Sequence, residues 1–241
     1  MNGPKTTAEG FADARRWEEH FEQTASSSRN LPLATETLSG AERMVVAASI
    51  QAFQLGETGG GSFLLRAAER RGERRGDFPY LRPLKLFVLE EQRHAGDLGR
   101  FMELERIPAI SRQWTNTAFR WIRKLMGIEL CIVTLLTAEL IAMSYYRALR
   151  KATNAPVLKA LCGRILKDEA SHVVFQAAML KHLRHGRPQW LIRSSLLLQR
   201  LLLLLTVAAV WIDHRRCFRA GGYSLARLHR ESQRWLTRVG A

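Results

Sequence analysis

From Gly40 onward, apolar residues recur along the chain at steps of three and four, the spacing of helices that bury one face. Ser39 followed by Glu42 is a capping-box signature just ahead of the apolar run at Met44, and it predicts a first long helix from Gly40 to about Arg71. The segment RRGDFPYLRP, with a glycine and two prolines, ends that pattern, and a second helix is predicted from Leu84 to Arg106, stopped by Pro108. Ile107 to Trp114 make the next connection, and a third helix is expected over Thr117 to Lys151. After the turn-like Thr153-Asn154-Ala155-Pro156, a fourth runs from Val157 to His185 and closes at Gly186 and Pro188. No alternating, turn-bounded run competes with these four, so the fold class is all-α.

The flanks read differently. Residues 1–37 are expected to form an N-terminal arm and linker, with a short helix from Phe11 to Phe21 before the polar TASSSRN and the proline-containing LPLATET. Residues 38–186 make the helical domain, and residues 187–241 make apolar and basic C-terminal helices. Within the latter, SSLLLQRLLLLLTVAAVWI holds an uninterrupted run of apolar or near-apolar residues only from Leu201 to Ile212, short for a membrane span. It predicts a helix that packs on the bundle or at an interface. A membrane-surface helix is the alternative, because Arg215, Arg216 and Arg219 follow directly.

With 241 residues, 46% of them hydrophobic, the chain has enough apolar surface for one sizeable core with appendages. Lys and Arg number 37 against 22 Asp and Glu, a net charge of +15 that favours anionic partners. No nucleic-acid motif accompanies the charge, so specific nucleic-acid binding is not expected. The three cysteines, Cys131, Cys162 and Cys217, are far apart and set in apolar or basic helical context, which predicts buried thiols and a reducing compartment. The N-terminal stretch lacks the apolar core of a secretory signal, and a cytoplasmic location, peripheral to a membrane if the C-terminal helices contact one, is the expectation.

The costly residues lie on the apolar faces. The stripe of the second helix runs through Leu84, Phe87, Glu91, His94, Leu98 and Phe101, within the stretch LEEQRHAG. The stripe of the fourth runs through Leu158, Leu161, Ile165, Glu169, His172, Gln176 and Met179, within LKDEASHVVFQ. Single glutamates sit on the other two: Glu57 among Val46, Ile50, Phe53 and Leu64, and Glu139 among Leu125, Ile128, Ile132, Leu135, Ala142 and Tyr146. Four carboxylates converging in a low-dielectric core need cations. Two divalent metals would balance them, and the mixed oxygen and imidazole set suits iron or manganese better than a structural zinc. Glu129 competes for the third-helix position, but it stands about 80° from Glu139 around the helix and some three turns out of height with Glu169.

A Glu from each of two helices plus Glu-x-x-His from each of the other two is the ligand pattern of ferritin-like di-iron and di-manganese proteins. In the order Glu57, Glu91 with His94, Glu139, Glu169 with His172, residues 40 to 186 resemble that superfamily, with spacings similar to those of bacterioferritins, rubrerythrins and di-iron oxygenases. The resemblance implies an antiparallel four-helix bundle with a long crossover between the second and third helices. It also implies those six residues as ligands of two Fe ions, with Mn/Fe or Mn as alternatives. Glu90 and Asp168, each directly before a ligand glutamate, are placed to reach the outer ring nitrogen of the opposite helix's histidine. Tyr146, on the Glu139 stripe, is a further neighbour of the site, whereas Tyr80 and Tyr145 are expected to pack in the core.

The resemblance further implies an oxygen-activating di-iron oxidoreductase, an oxidase or oxygenase acting on a small molecule, with no catalytic residues assigned beyond the metal ligands. The alternative is a ferritin-like iron-binding or ferroxidase protein without an organic substrate; the net charge of +15 and the long extensions argue against a storage cage. There is no Cys-x-x-Cys pair for an internal electron-transfer module, so the expected partners are dioxygen, a small-molecule substrate, an external electron donor and, through the C-terminal helices, a membrane surface; a homodimer is also considered. Finally, LGETGGGSF places three consecutive glycines in the first helix, at about 1 kcal/mol each relative to Ala. Either the helix breaks there, or Gly60 and Gly61, on the Glu57 face, leave room for a substrate pocket.

Overall fold

The computed structural model describes residues 4–26, 37–58, 61–75, 78–118 and 127–240. Their regular structure is helical throughout: α1 (Pro4–Ser26), α2 (Gly40–Glu57), α3 (Ser62–Arg75), α4 (Leu81–Leu104), α5 (Ile128–Lys151), α6 (Pro156–Arg184), α7 (Gln189–Ala220) and α8 (Leu225–Val239). No strand occurs among the described residues, so the all-α class holds.

The capping box starts α2 as the sequence predicts: the Glu42 amide donates to Ser39 Oγ at 3.2 Å, and the Ser39 amide donates to Glu42 Oε2 at 2.9 Å. The single helix expected to Arg71 is, however, two helices, α2 ending at Glu57 and α3 starting at Ser62. Thr58 and Gly61 both lie in turns, where glycine's backbone entropy weakens a helix. The second helix begins one turn earlier than expected, at Leu81, and ends in a Schellman arrangement. Arg106 adopts φ 53°, and the Ile107 amide donates back to the Met102 carbonyl at 2.8 Å. The third helix starts only at Ile128, because Gly127 is extended. Residues 114–118, from the end of the expected connection to the first two positions of the expected helix, form a separate helical turn, and 119–126 lie outside the described residues.

α5 and α6 are joined by residues 152–155 and pack along their length, which makes them an antiparallel pair. α2 packs on α4, and α4 on α6. Leu84, Leu98, Ile132, Leu140, Leu158, Ile165 and Met179, all fully buried, fill the space between these four helices. The flanks also pack here. The arm expected of residues 1–37 contains a 23-residue helix, α1, docked on α4, where Arg82 binds Glu18 and Glu22 at 3.1 Å each. α7 packs on α5 and α2, and α8 on α5 and α7.

The C-terminus of α7 meets α5 at Gly221, whose α-carbon lies against the backbone of Ala148; an added Cβ would stand 2.3 Å from the Ala148 carbonyl oxygen. Backbone cannot move aside as a side chain can. Gly221→Ala is therefore expected to destabilise the fold by about 3 kcal/mol, read as a lowered urea midpoint with an unchanged slope.

Candidate metal centre

Glu91 and His94 are one turn apart in the middle of α4, and Glu169 and His172 hold the same relation on α6. Each of the four offers a ligand atom, and these atoms all lie within 4.8 Å of one another. His172 Nδ1 is 2.9 Å from Glu91 Oε1 and 3.4 Å from Glu169 Oε2; His94 Nδ1 is 3.6 Å from Glu169 Oε1 and 3.8 Å from Glu91 Oε1. Both imidazoles thus turn Nδ1 inward, and Glu169 directs one oxygen to each. His94, Glu169 and His172 are buried, yet Glu91 Oε1, both Glu169 oxygens and both Nδ1 atoms have no well-directed hydrogen-bond partner. Five orphaned polar atoms facing one point are what a cation would satisfy. This buried group could hold a metal ion.

The outer ring nitrogens are held crosswise. His94 Nε2 lies 3.2 Å from Asp168 Oδ2, and His172 Nε2 lies 3.1 Å from Glu90 Oε2. Each carboxylate belongs to the helix opposite its histidine, as the order of residues predicts. Sequence reading missed the group that joins them: Arg93 donates from Nη2 to Asp168 Oδ2 at 3.1 Å and also to Glu90. Its only signal was an arginine three residues after Glu90.

Glu57 and Glu139 stand at the other side of the cluster. Tyr146 donates its hydroxyl to Glu57 Oε1 at 2.6 Å, and Gln176 donates Nε2 to Glu139 Oε1 at 3.0 Å. Burial, followed by the charges of Glu91 and Glu169, pushes Glu57 well above the usual carboxylate range. Burial and the charges of Glu169 and Glu91 do the same to Glu139. For the histidines, burial opposes protonation but is outweighed by the surrounding carboxylates: Asp168 and Glu169 bring His94 up to about 10, and Glu169, Glu90 and Glu91 raise His172. Protons thus balance the charge of this centre when no cation does, and metal binding would displace them.

Glu129 lies elsewhere. Arg184 donates Nε to its Oε1 at 3.1 Å, Ser195 donates to the same oxygen at 2.9 Å, and Arg187 also binds it. Glu139, by contrast, lines the same cavity as Glu91.

A cavity of about 140 Å³ adjoins the centre on the side of Glu57, Glu91 and Glu139. Phe53, Leu135 and Ala142 give it apolar walls, and Thr206, Val210 and His214 of α7 close its far side. The sequence did not announce this contribution from α7. His214 Nδ1 lies 2.7 Å from Ser49 Oγ, and burial lowers its pKa to about 4, so the ring is neutral at pH 7. Gly61 does not line this cavity; its α-carbon is pressed against Val88, whose methyls already fill the space a Cβ would need. Gly60 lies outside the described residues. Tyr145 stacks on Phe53 at 3.3 Å, and Tyr80 donates to Asp13 of α1, so both are packing residues as expected. All three cysteines are buried free thiols.

Comparison of the chain with family models, curated proteins and solved structures gave no match.

Proposed function

We propose that α2, α4, α5 and α6 form a ferritin-like bundle around a di-metal centre held by Glu57, Glu91, His94, Glu139, Glu169 and His172, and that the protein is an oxygen-activating di-iron oxidoreductase. The observation behind this reading is the pair of inward Nδ1 atoms and Glu169 oxygens, all orphaned, with each outer Nε2 held by a carboxylate. A carboxylate behind a ligating imidazole fixes its tautomer and raises its basicity. When bound, two irons would supply the electrons and Lewis acidity for reducing dioxygen.

The chain's own part is to orient and exclude. Glu90 and Asp168 keep both Nδ1 lone pairs facing inward. Tyr146 holds Glu57, and Gln176 holds Glu139. Phe87 and Phe21 cover the outer edge of His172, with ring centroids 4.8 and 6.1 Å away, and shield it from water. The cavity beside the three carboxylates favours a small, largely apolar substrate over iron storage alone, with the neutral His214 ring as a polar group on its far wall. Electrons would come from an external donor or from the substrate.

Anaerobic titration with ferrous iron tests the reading. About two irons per chain, followed on exposure to oxygen by a transient near-ultraviolet absorption from ferric products, is the expected result. Failure to bind iron removes the proposal. Binding with mineral growth far beyond that stoichiometry would favour the storage alternative.

A further inference from the structure

Two helices of the described chain are long and apolar enough to cross a membrane, Ile128–Lys151 and Gln189–Ala220. The first is 78% buried over its most apolar window and is accounted for by the core; the second is only 28% buried. Gln189–Ala220 is α7, and it has two distinct sides. Leu203, Thr206, Val210 and His214 face the fold. Trp190, Leu197, Leu201, Leu204, Leu205 and Ile212 are exposed, Trp190 at 67%, Leu197 at 69% and Ile212 at 64%. At 3.6 residues per turn these six fall within about 60° of Leu201, a continuous apolar stripe about 33 Å long. Exposed apolar area of this extent marks a contact surface.

The charges around the stripe identify what covers it. Arg215, Arg216 and Arg219 continue the same side beyond Ile212, and Arg193 and Arg200 flank it; all five are exposed. The one carboxylate of the helix, Asp213, is already engaged by Gln113 at 2.6 Å and Trp114 at 2.9 Å. Pairing with a second copy would work against these charges. A parallel arrangement sets the three arginines on their twins, and an antiparallel one centred on Leu201 sets none of the five arginines opposite a carboxylate. Spanning a bilayer is also disfavoured, because the inner side is committed to α5 and α2 and Arg200 would lie near the middle of the hydrocarbon. A helix lying flat, apolar side down with arginines reaching phosphates around it, meets each of these constraints. Beside Leu198, a groove of about 610 Å³ between α3, α5 and α7 is lined by Arg70 and Arg74 and by the Arg187–Glu129 pair, so cationic side chains extend from the stripe to α3.

We propose that the outer face of α7 seats this protein on an anionic lipid bilayer, with the Trp190 to Ile212 stripe in the acyl boundary and the arginines at its ends and edge on lipid phosphates. This docking surface is independent of the metal assignment, since vesicle binding can be read on metal-free chain.

Sedimentation of the full chain with vesicles tests it, using phosphatidylcholine alone and phosphatidylcholine with about a third phosphatidylglycerol, near the anionic fraction of a charged leaflet. The expected result is binding to the anionic vesicles, weakened by salt, with little on the neutral ones. Leu201→Gln with Leu205→Gln, both at exposed positions, should abolish it without loss of helicity. Arg215→Ala, Arg216→Ala and Arg219→Ala together should weaken it about a hundredfold, at about a fivefold change for each arginine. Equal binding to neutral vesicles, no binding to either, or a micromolar dimer dissolved by the leucine pair in a chain that ignores vesicles would each overturn the proposal.

Discussion

Chain carrying Glu169→Ala is expected to bind no iron under conditions in which the wild type binds about two per chain. Glu169 is fully buried and is the residue both halves of the centre share, one oxygen 3.6 Å from His94 Nδ1 and the other 3.4 Å from His172 Nδ1. Removing it leaves, among the described residues, Glu91 as the one carboxylate against both inward Nδ1 atoms, and it also leaves the raised proton affinities of Glu57 and Glu139 without one of their causes. Glu169→Gln is the companion variant, because it keeps the volume and removes only the charge. Both should lose iron in an anaerobic titration while helicity is retained. Wild-type stoichiometry in either variant would overturn the assignment of this centre.

Glu90→Gln and Asp168→Asn should each lower iron affinity by about ten- to a hundredfold, the usual effect of disturbing the partner behind a ligating histidine. The amides can still accept from Nε2, but they no longer raise the basicity of the ring or balance Arg93. The two carboxylates act on different histidines through a shared arginine, so the double variant should not equal the sum of the singles. Competition against a chelator of known strength measures all three, and an affinity unchanged in both single variants would show that Glu90 and Asp168 only pair with Arg93.

Much of this centre was legible because its chemistry conflicts with its surroundings. A glutamate and a histidine one turn apart on a face otherwise made of Leu and Phe announce themselves, and the matching pair on a second helix gives them a destination. The crosswise partners Glu90 and Asp168 followed from adjacency alone. What stayed hidden depends on residues distant in sequence. Phe21 and Trp17 look like the apolar side of an isolated helix until α1 is seen against Phe175 and His172. Gln199, Thr206 and His214, in or beside an apolar run, are on its inward side together with Leu203, Val207 and Val210, whereas Leu197, Leu201, Leu204 and Leu205 face outward, a division that the run of leucines does not reveal. The glycines after Glu57 carried a clear energetic signal, but not its consequence: a break in the helix, with Gly61 against Val88, in place of an opening beside the centre. Likewise, periodicity continued across Gly127, where the backbone leaves the helical region.

That break has a bearing on Glu57 itself. Glu91, Glu139 and Glu169 project from the middle of their helices, whereas Glu57 is the last residue of α2, at the end where unpaired carbonyls concentrate negative potential. A lysine or arginine is favourable at such an end; α2 has no basic residue in its last turn and presents a carboxylate there. A cation bound at Glu57 would supply the positive charge that this terminus lacks. If the centre is loaded as proposed, the cation takes the place of the missing basic residue, and closing the end of α2 and filling the site become a single event.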